Sequence, residues 1–288
     1  MNMMKKITLA LAALFVAALA FAKPKGTGSY AFSITAREVE NTASGNILRG
    51  TLYMPERSGK IPLIITAHEF GGNSRRAWWV HYAEYWAKQG LAVYTFDFSG
   101  GGEESQSDGK TTDMSVLTEA TDLEQVLLSA QEWSFVDTKK IVVIGGSQGG
   151  AVSSIVAARH PADIAALVLL YPALVVTDDL HEKFPDRTKV PEVYRYNGWI
   201  DVGPRYVNDM YDFDIYKDMA NFTKSVLIVH GDKDDIVPLS YSERAKSTYR
   251  SASLVVVKGA GHIFFTPDHQ KQCLDAVDSY LKKMGITK

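Results

Sequence analysis

The chain has 288 residues, of which 46% are hydrophobic and 22% charged, and its formal net charge is −2. This length suffices for one large α/β domain or two small ones, and the composition is ordinary for a soluble globular protein. A mildly acidic chain has no basic surface for nucleic acid or an anionic membrane, so we expect neither as a partner.

The first predicted element is a bacterial secretory signal peptide at residues 1–22. Lys5 and Lys6 precede an apolar run that ends in the cleavage pattern A-x-A at residues 20–22. The run is too short for a comfortable membrane span, and an uncleaved N-terminal anchor is the alternative. We therefore expect a mature chain of residues 23–288 that is secreted or periplasmic, with no stable membrane association.

Apolar spacing predicts a mostly parallel sheet. Residues 28–36 and 47–54 alternate apolar and polar and predict an antiparallel pair with a turn near Asn46. Apolar runs and helical spacings then alternate: strand 61–67, helix 77–88, strand 91–96, helix 115–133, strand 141–144, helix 148–159, strand 166–170, strand 225–229, helix 239–249, strand 254–257 and helix 267–284. Continuous apolar strands between helices predict an α/β fold with both sheet faces covered.

Two features interrupt or end this pattern. Residues 172–223 separate two core strands without an obvious strand–helix unit, and they are rich in aromatic residues. A long insertion in a compact domain is usually functional, so we expect a small cap over the carboxyl edge of the sheet. The alternative is a surface excursion that packs on itself.

Cys273, the only cysteine, can form no internal disulfide, and its place in the last helix predicts a buried core residue.

Residues 141–150 (IVVIGGSQGG) carry the strongest functional signal. A short buried strand leads into the pattern G-x-S-x-G at 145–149, and a helix begins at Gln148. Strand, tight turn and helix together predict a strained elbow that exposes the hydroxyl of Ser147. The alternative is a glycine-rich turn that contains a serine by chance. A catalytic serine also needs a base and an orienting acid.

Both partners follow in the required order, Ser, then Asp or Glu, then His. His262 comes after the last predicted strand, and its lead-in Gly-Ala-Gly frees the backbone to aim the ring. His230 ends the preceding strand and is expected to be structural. Three acids follow it and position alone does not choose among them: Asp232, Asp234 and Asp235. We therefore predict Ser147 as nucleophile with His262 as its base.

The oxyanion that forms on attack needs backbone N–H groups placed to receive it. The N–H of Gln148 is one candidate, because it follows the nucleophile. The second is expected from the loop after an early strand, here residues 68–73 (HEFGGN), where the N–H of Phe70 is the candidate. A simple glycine-containing connector is the alternative for this loop.

Together these motifs resemble the α/β-hydrolase superfamily over nearly the whole mature sequence, and more closely the bacterial cinnamoyl and feruloyl esterases. The resemblance rests on HEFGG at 68–72, FDFSG at 96–100, SDGK at 107–110 leading to MSVL at 114–117, the elbow at 145–149, HGDKDDIVP at 230–238 and GH at 261–262. It implies a mostly parallel central sheet flanked by helices, with a small cap inserted at about 172–223. It assigns Ser147 as nucleophile, Asp234 as acid, His262 as base, and Phe70 and Gln148 as the oxyanion hole.

The resemblance implies a secreted serine carboxylesterase that cleaves feruloyl or p-coumaroyl esters of plant cell-wall polysaccharide through an acyl-enzyme. Aromatic residues of the cap suit a flat phenolic acyl group, and Trp199 and Tyr206 are candidate substrate contacts. No metal or organic cofactor is needed, and the expected partner is a small ester or a feruloylated oligosaccharide. The alternatives are an acetylxylan esterase, a lipase-like esterase, a peptidase, or a hydrolase-shaped binding protein without turnover.

One residue departs from the family pattern. The family usually has glycine directly after the histidine of the oxyanion loop, whereas this chain has Glu69. A carboxylate that faced the oxyanion would oppose its developing negative charge. We therefore expect the side chain of Glu69 to point away from it.

Overall fold

The computed structural model describes residues 29–288, so the predicted signal peptide lies outside the described residues. The strands in this part of the chain are β1 (Phe32–Asn41), β2 (Asn46–Pro55), β3 (Ile61–Ala67), β4 (Ala92–Phe96), β5 (Val136–Gly146), β6 (Ala166–Leu170), β7 (Tyr194–Tyr196), β8 (Ile200–Val202), β9 (Val226–Gly231) and β10 (Ala252–Val257). The helices are α1 (Ala77–Lys88), α2 (Val116–Gln131), α3 (Gln148–Arg159), α4 (Val176–Lys183), α5 (Pro204–Tyr211), α6 (Ile215–Met219), α7 (Leu239–Thr248) and α8 (Pro267–Lys283). Short 3₁₀ turns lie at Thr111–Asp113 and Arg187–Lys189.

Eight strands form the central sheet in the order β1-β2-β4-β3-β5-β6-β9-β10. β2 is antiparallel to both β1 and β4, and every later pair is parallel. The carboxyl ends of β3, β5, β6, β9 and β10 therefore meet at one edge of the sheet. The predicted α/β fold with a mostly parallel sheet is confirmed.

Both faces of the sheet are buried, which explains the continuous apolar strands. Leu63 and Ile65 of β3 belong to the hydrophobic cluster that includes α2 and α3. Ile64, between them, belongs to a second cluster with Trp79 of α1 and Val277 of α8. Successive side chains point to opposite faces of a strand, so helices on both sides require apolar residues at every position.

The opening strand differs from the expectation. The alternating pattern predicted residues 28–36, whereas β1 extends from Phe32 to Asn41. Residues 37–41 (REVEN) are rich in charge and do not look like a strand in the sequence. They stay extended because the ladder with β2 continues down to the pair Asn41–Asn46, and most side chains of this edge strand face solvent.

The segment 172–223 contains α4, the antiparallel hairpin β7–β8, α5 and α6, none of which was predicted individually. Its strands have three residues and its helices five to eight, too short for a periodic apolar pattern to be visible. Its buried side chains, among them Leu180, Val207 and Met210, join the cluster that contains α2 and α3. The segment therefore packs on the protein core as well as on itself.

Cys273 is buried in α8, and burial raises the pKa of its thiol to about 12. A buried core cysteine was expected, and this expectation is confirmed. None of the helices between residues 29 and 288 is long and apolar enough to cross a membrane.

Candidate active site

Ser147 lies on a sharp turn between β5 and α3. Its φ is 51°, in the left-handed region that residues other than glycine rarely adopt. A Cβ on Gly145 would collide with the carbonyl oxygen of Gly149, and a Cβ on Gly149 would collide with that of Ala67. Only glycine lets the strand and the helix approach this closely, so the G-x-S-x-G pattern has a steric cause here.

A chain of hydrogen bonds joins Ser147 to two later loops. The Oγ atom of Ser147 lies 2.8 Å from Nε2 of His262, and Nδ1 of His262 lies 2.8 Å from Oδ2 of Asp234. Because Nδ1 faces a carboxylate, we assign the imidazole proton to Nδ1, which leaves Nε2 to accept the serine hydroxyl. All three side chains are buried. The residues predicted as nucleophile, base and acid are thus brought together.

Among the three candidate acids, Asp234 is the one that contacts His262. Its Oδ1 atom accepts the backbone N–H groups of Ile236 at 3.0 Å and Val237 at 2.8 Å, which orients the carboxylate. Asp232 instead accepts the N–H of Gly259 at 2.6 Å. The local turn therefore leaves only Oδ2 of Asp234 for the histidine.

His230 is a second histidine on Asp234. Its Nε2 atom lies 2.9 Å from both Oδ2 of Asp234 and the carbonyl oxygen of Val237, and Nδ1 lies 2.7 Å from Oγ of Ser242. Both neighbours of Nε2 are acceptors, so Nε2 carries a proton. The expectation that His230 is structural missed this contact, although its place four residues before Asp234 in the same motif was an available signal.

The charge on Asp234 is favoured by these contacts. Burial opposes ionisation, but the hydrogen bonds from His230 and His262 outweigh it and hold the pKa of the carboxyl well below its usual range. An ionised Asp234 orients His262 and stabilises the imidazolium that forms when His262 takes a proton.

The loop after β3 offers the first of two N–H groups near Ser147. Between residues 29 and 288 no acceptor contacts the N–H of Phe70, and that of Gln148 lies at the start of α3, where N–H groups have no intrahelical acceptor. The loop is fixed by His68, whose Nε2 accepts the N–H of Phe98 at 3.1 Å while Nδ1 lies 2.8 Å from the carbonyl oxygen of Glu69. Both predicted oxyanion donors are therefore free to donate.

Three neutral donors hold the carboxylate of Glu69. Its Oε1 accepts the indole N–H of Trp78 and the hydroxyl of Tyr171, each at 3.1 Å, and Oε2 accepts the indole N–H of Trp79 at 3.0 Å. Both oxygens are thus engaged by donors, and the expectation that this side chain points away from the oxyanion stays a prediction. The ring of Tyr171 also meets that of His262 edge-on, with centroids 5.1 Å apart.

A buried acid supports the side chain of Gln148. Oε2 of Glu119 accepts Nε2 of Gln148 at 2.8 Å, and Oε1 of Gln148 accepts the hydroxyl of Tyr206 at 2.6 Å. Burial raises the pKa of Glu119 well above its usual range and so favours its neutral form. The sequence held a signal that was overlooked, because Glu119 shares the apolar face of α2 with Val116 and Leu123.

An aromatic cluster lies beside Ser147. The ring of Phe70 has its centroid 5.3 Å from that of Tyr196, 5.4 Å from that of Tyr206 and 6.2 Å from that of Trp199. Trp199 and Tyr206, the predicted substrate contacts, thus lie in this cluster. Tyr206 is buried, whereas Trp199 is 47% exposed.

Two cavities meet at Ser147. The narrow cavity, of about 40 Å³, lies against the elbow and the inserted segment, and its lining includes Gln148, Ala173, Val176, Asp179, Tyr196 and Tyr206. The open basin, of about 460 Å³, lies against the loop of His262, and its lining includes Asp235, His262, Ile263, Phe265, Thr266 and His269. Phe70, Ser147, Trp199 and Ile236 line both.

The sequence pattern described as "Prolyl oligopeptidase family" matches residues 78–286, which is well over half of the chain. The chain belongs to the prolyl oligopeptidase family. This member of the family is an α/β-hydrolase of the serine hydrolase and esterase type, and it resembles feruloyl esterases.

Known proteins similar to this prolyl oligopeptidase family member include three esterases or lipases. Est1E from Butyrivibrio proteoclasticus, solved with ferulic acid bound, is 28% identical with a TM-score of 0.78, over 86% of this chain and 98% of Est1E. A monoacylglycerol lipase of Mycolicibacterium smegmatis is 26% identical over 250 residues, which cover 76% of this chain and 87% of the lipase. An acetyl xylan esterase from Paenibacillus sp. R4 is 18% identical with a TM-score of 0.66, over 86% and 84% of the two chains, and shares the fold.

Proposed function

We propose that this protein is a secreted or periplasmic serine carboxylesterase that hydrolyses hydroxycinnamoyl esters, such as feruloyl and p-coumaroyl groups on plant cell-wall polysaccharide. The observation that carries the proposal is the hydrogen-bonded chain from Ser147 through His262 to Asp234, at the point where two cavities meet. The lysines and the cleavage pattern within residues 1–22 support export.

In the first half of the reaction, Nε2 of His262 takes the hydroxyl proton as Oγ of Ser147 attacks the ester carbonyl carbon. The N–H groups of Phe70 and Gln148 donate to the oxyanion that forms. When the tetrahedral intermediate collapses, the bond between the acyl carbon and the alcohol oxygen breaks. The alcohol leaves with the proton held by His262, and the acyl group remains on Ser147.

Water completes the cycle by the same steps. It gives a proton to His262 as its oxygen attacks the acyl carbon, and the bond from that carbon to Oγ of Ser147 then breaks. The proton on His262 returns to Ser147, and the acid is released. Asp234 stabilises the imidazolium in both halves, and no metal or organic cofactor enters the sequence of steps.

The aromatic cluster beside Ser147 supports a phenolic acyl group. Phe70, Tyr196 and Tyr206 lie in it, and aromatic rings pack well on one another. The open basin, of about 460 Å³, has the volume for such a group, whereas the narrow cavity, of about 40 Å³, does not. The lining of the narrow cavity adds two polar side chains for a ring hydroxyl, those of Asp179 and Tyr196, and burial raises the pKa of the Asp179 carboxyl. The similarity to Est1E, whose structure holds ferulic acid, supports the same acyl group.

A lipid ester is the second candidate. The similarity to a monoacylglycerol lipase favours it, as do the exposed apolar side chains at the mouth of the site, which an acyl chain would cover. Under this alternative the enzyme would prefer long-chain monoacylglycerols over hydroxycinnamates, although the same three residues would carry the chemistry.

A substrate panel separates these candidates. We expect methyl ferulate and methyl p-coumarate to be cleaved with a kcat/KM at least tenfold above those for p-nitrophenyl acetate, a monoacylglycerol and a proline p-nitroanilide. Faster cleavage of acetyl, long-chain or peptide substrates would contradict the hydroxycinnamoyl proposal.

Two further measurements test the remaining parts of the proposal. Ser147→Ala should lose labelling by a fluorophosphonate probe and about 10⁴-fold or more in kcat. An unlabelled wild-type protein would indicate a binding protein without turnover.

N-terminal sequencing of protein recovered from the periplasm or medium should begin at Lys23, and an intact residue 1 in that fraction would contradict cleavage.

A further inference from the structure

Glu69 is a buried carboxylate without a counter-charge. Only 7% of the residue is exposed, and between residues 29 and 288 no lysine, arginine or histidine forms an ion pair with it. Its three hydrogen-bond partners, Trp78, Trp79 and Tyr171, are neutral donors. The indole N–H groups can only donate, so the arrangement suits an ionised carboxylate that accepts at both oxygens. A buried charge of this kind is costly unless a charge of opposite sign lies beside it.

This carboxylate lies at the reactive site. It lines the open basin together with Ser147 and His262. A Cβ on Gly146, the residue before the nucleophile, would come within 2.9 Å of Oε1 of Glu69. The hydroxyl that donates to Oε1 belongs to Tyr171, whose ring meets that of His262. A ligand that reaches the nucleophile therefore also comes close to the negative charge of Glu69.

The rest of the basin also favours a cation. Its lining has a second carboxylate, that of Asp235, and contains no lysine or arginine from the described part of the chain. Three aromatic side chains line it as well, those of Phe70, Trp199 and Phe265. The faces of aromatic rings attract cations, most strongly where water is excluded. Oε2 of Glu69 accepts a single hydrogen bond from the described residues, so it can accept another from a ligand.

We propose that the open basin recognises an ammonium group on the ester substrate, and that Glu69 selects for it. The proposal rests on the proposed function and adds a charge requirement to the substrate. An ammonium group supplies the counter-charge that the protein does not provide, and it meets the carboxylate and the aromatic rings favourably. Either half of the ester can carry the group, as an amino acid or as an amino alcohol, because the basin lies against both Ser147 and His262.

The charge of Glu69 also acts on the reaction. The next residue, Phe70, offers its N–H to the oxyanion, and a carboxylate nearby opposes the negative charge that develops there. A substrate cation beside Glu69 offsets this opposition in the transition state, so it should raise kcat as well as lower KM. With a neutral ester the opposition remains. Glu69→Gln should therefore slow a cationic ester and leave a neutral ester as fast or faster.

The test uses two pairs of esters that differ in charge. The first pair is feruloylcholine and 3,3-dimethylbutyl ferulate, in which a carbon replaces the quaternary nitrogen. The second pair is phenylalanine methyl ester and methyl 3-phenylpropanoate, in which a hydrogen replaces the ammonium group. The quantity compared is the ratio of kcat/KM for the cationic ester to that for its neutral partner, because a change in this ratio between proteins cancels the intrinsic reactivity of each ester.

Three proteins are compared: the wild type, Glu69→Gln and Glu84→Gln. The control removes a carboxylate that is 39% exposed on α1, outside the basin. We expect Glu69→Gln to lower the ratio about tenfold in at least one pair, and Glu84→Gln to leave both ratios unchanged. The pair that responds identifies the half of the ester that carries the ammonium group. An unchanged ratio in both pairs, including equal losses on all four esters, would overturn the proposal and leave Glu69 a structural residue.

A second measurement needs no variant. Choline and 3,3-dimethylbutanol share their shape and hydroxyl and differ in charge, so their inhibition of p-nitrophenyl acetate hydrolysis compares the two directly. We expect the Ki of choline to be about tenfold below that of the neutral alcohol, and an equal or higher Ki would contradict ammonium recognition. Failure of the hydroxycinnamoyl proposal looks different. The wild type would then cleave neither ferulate, while the phenylalanine pair and choline would still report on the basin.

Discussion

The two cavities that meet at Ser147 are built in different ways. The narrow cavity is walled by the inserted segment, and hydrogen bonds connect this wall to α2 and to the start of α3. One path runs from Glu119 through Gln148 to Tyr206, and another joins Oγ of Ser115 to Oδ2 of Asp209 at 2.5 Å. The open basin is lined by the loop of His262 and the first turn of α8, together with Glu69, Phe70, Ser147, Trp199, Asp235 and Ile236, and exposed apolar side chains lie at its surface.

This difference teaches how one serine can lie between a wall that is held rigidly and a surface that accepts many shapes. A wall held by hydrogen bonds cannot move without leaving buried polar groups unpaired, so the narrow cavity selects by fit. Apolar contacts are non-directional and accept many shapes, so the basin selects little by shape.

The largest expected loss of activity comes from a change at Asp234, which acts on the reaction itself and not through either cavity. Asp234→Asn should lower kcat about 10⁴-fold, because an amide favours the wrong tautomer of His262 and cannot stabilise its charged form. The factor should be equal for methyl ferulate and for 5-O-feruloyl-arabinose. Asp232→Asn, whose side chain serves Gly259 instead, should retain activity within about twofold. A factor that differs between the two esters would mean that Asp234 also contacts one half of the substrate.

The next largest loss of activity is expected from a change in the lining of the narrow cavity. Tyr196→Phe removes a hydroxyl that we propose meets the phenol of the acyl group, and loss of one hydrogen bond of this kind is worth about tenfold in kcat/KM. The loss should appear with methyl ferulate and be absent with methyl cinnamate, which lacks the ring hydroxyl. Tyr194→Phe is the control, because Tyr194 packs on Phe184 outside the cavity. Equal losses on both esters would place the hydroxyl of Tyr196 away from the substrate.

The smallest expected effect on activity concerns the support of the narrow cavity. Gln at position 119 can accept the same hydrogen bond as a neutral Glu119, so Glu119→Gln should keep kcat/KM within about twofold. A replacement that cannot accept, Glu119→Leu, leaves the amide of Gln148 unpaired and should raise KM for methyl ferulate several-fold. A Glu119→Gln variant as impaired as Glu119→Leu would show that the side chain acts as an anion.

Glu119→Gln should also change the pH dependence of stability. The folded-state pKa of Glu119 is raised well above 4.5, so folded protein keeps a proton that unfolded protein releases. Wild-type stability should therefore fall as pH rises above about 4.5, by about 1.4 kcal/mol for each unit that separates the two pKa values. Burial raises the pKa of Asp122 to about 6, with the same sign, but Asp122 remains in the variant. Urea unfolding from about pH 4.5 to about pH 8 should thus show a smaller decline for Glu119→Gln, and identical slopes would contradict it.

The sequence was sufficient to predict the long strands and helices, which have a regular apolar pattern, and two of the catalytic residues. Long apolar strands and amphipathic helices have a period that can be recognised, and α1, β3, β6 and α3 have the predicted bounds. Ser147 could be chosen because glycines on both sides indicate unusual backbone geometry, and His262 because Gly259 and Gly261 precede it. Sequence spacing alone did not distinguish the three candidate acids. In the structure, Asp234 differs from its neighbours because a turn orients its Oδ1 atom.

The sequence did not show what depends on contacts between distant segments. The helices of the segment 172–223 are stabilised by packing on α2 and α3, which no local pattern records. Glu119 is a polar residue on an apolar helix face, and its partner Gln148 lies 29 residues away. Glu69 departs from the family pattern, yet the three donors that hold it come from α1 and from the end of β6.

The close approach at Gly149 also limits where this enzyme can change over evolutionary time. A larger residue there would push the start of α3 away from Ala67 and His68, and so separate the N–H of Gln148 from that of Phe70. Mutations that reach a new substrate must leave this spacing alone. They remain open in the segment 172–223 and in the loop of Phe265, so the substrate preference can change while the reaction stays the same.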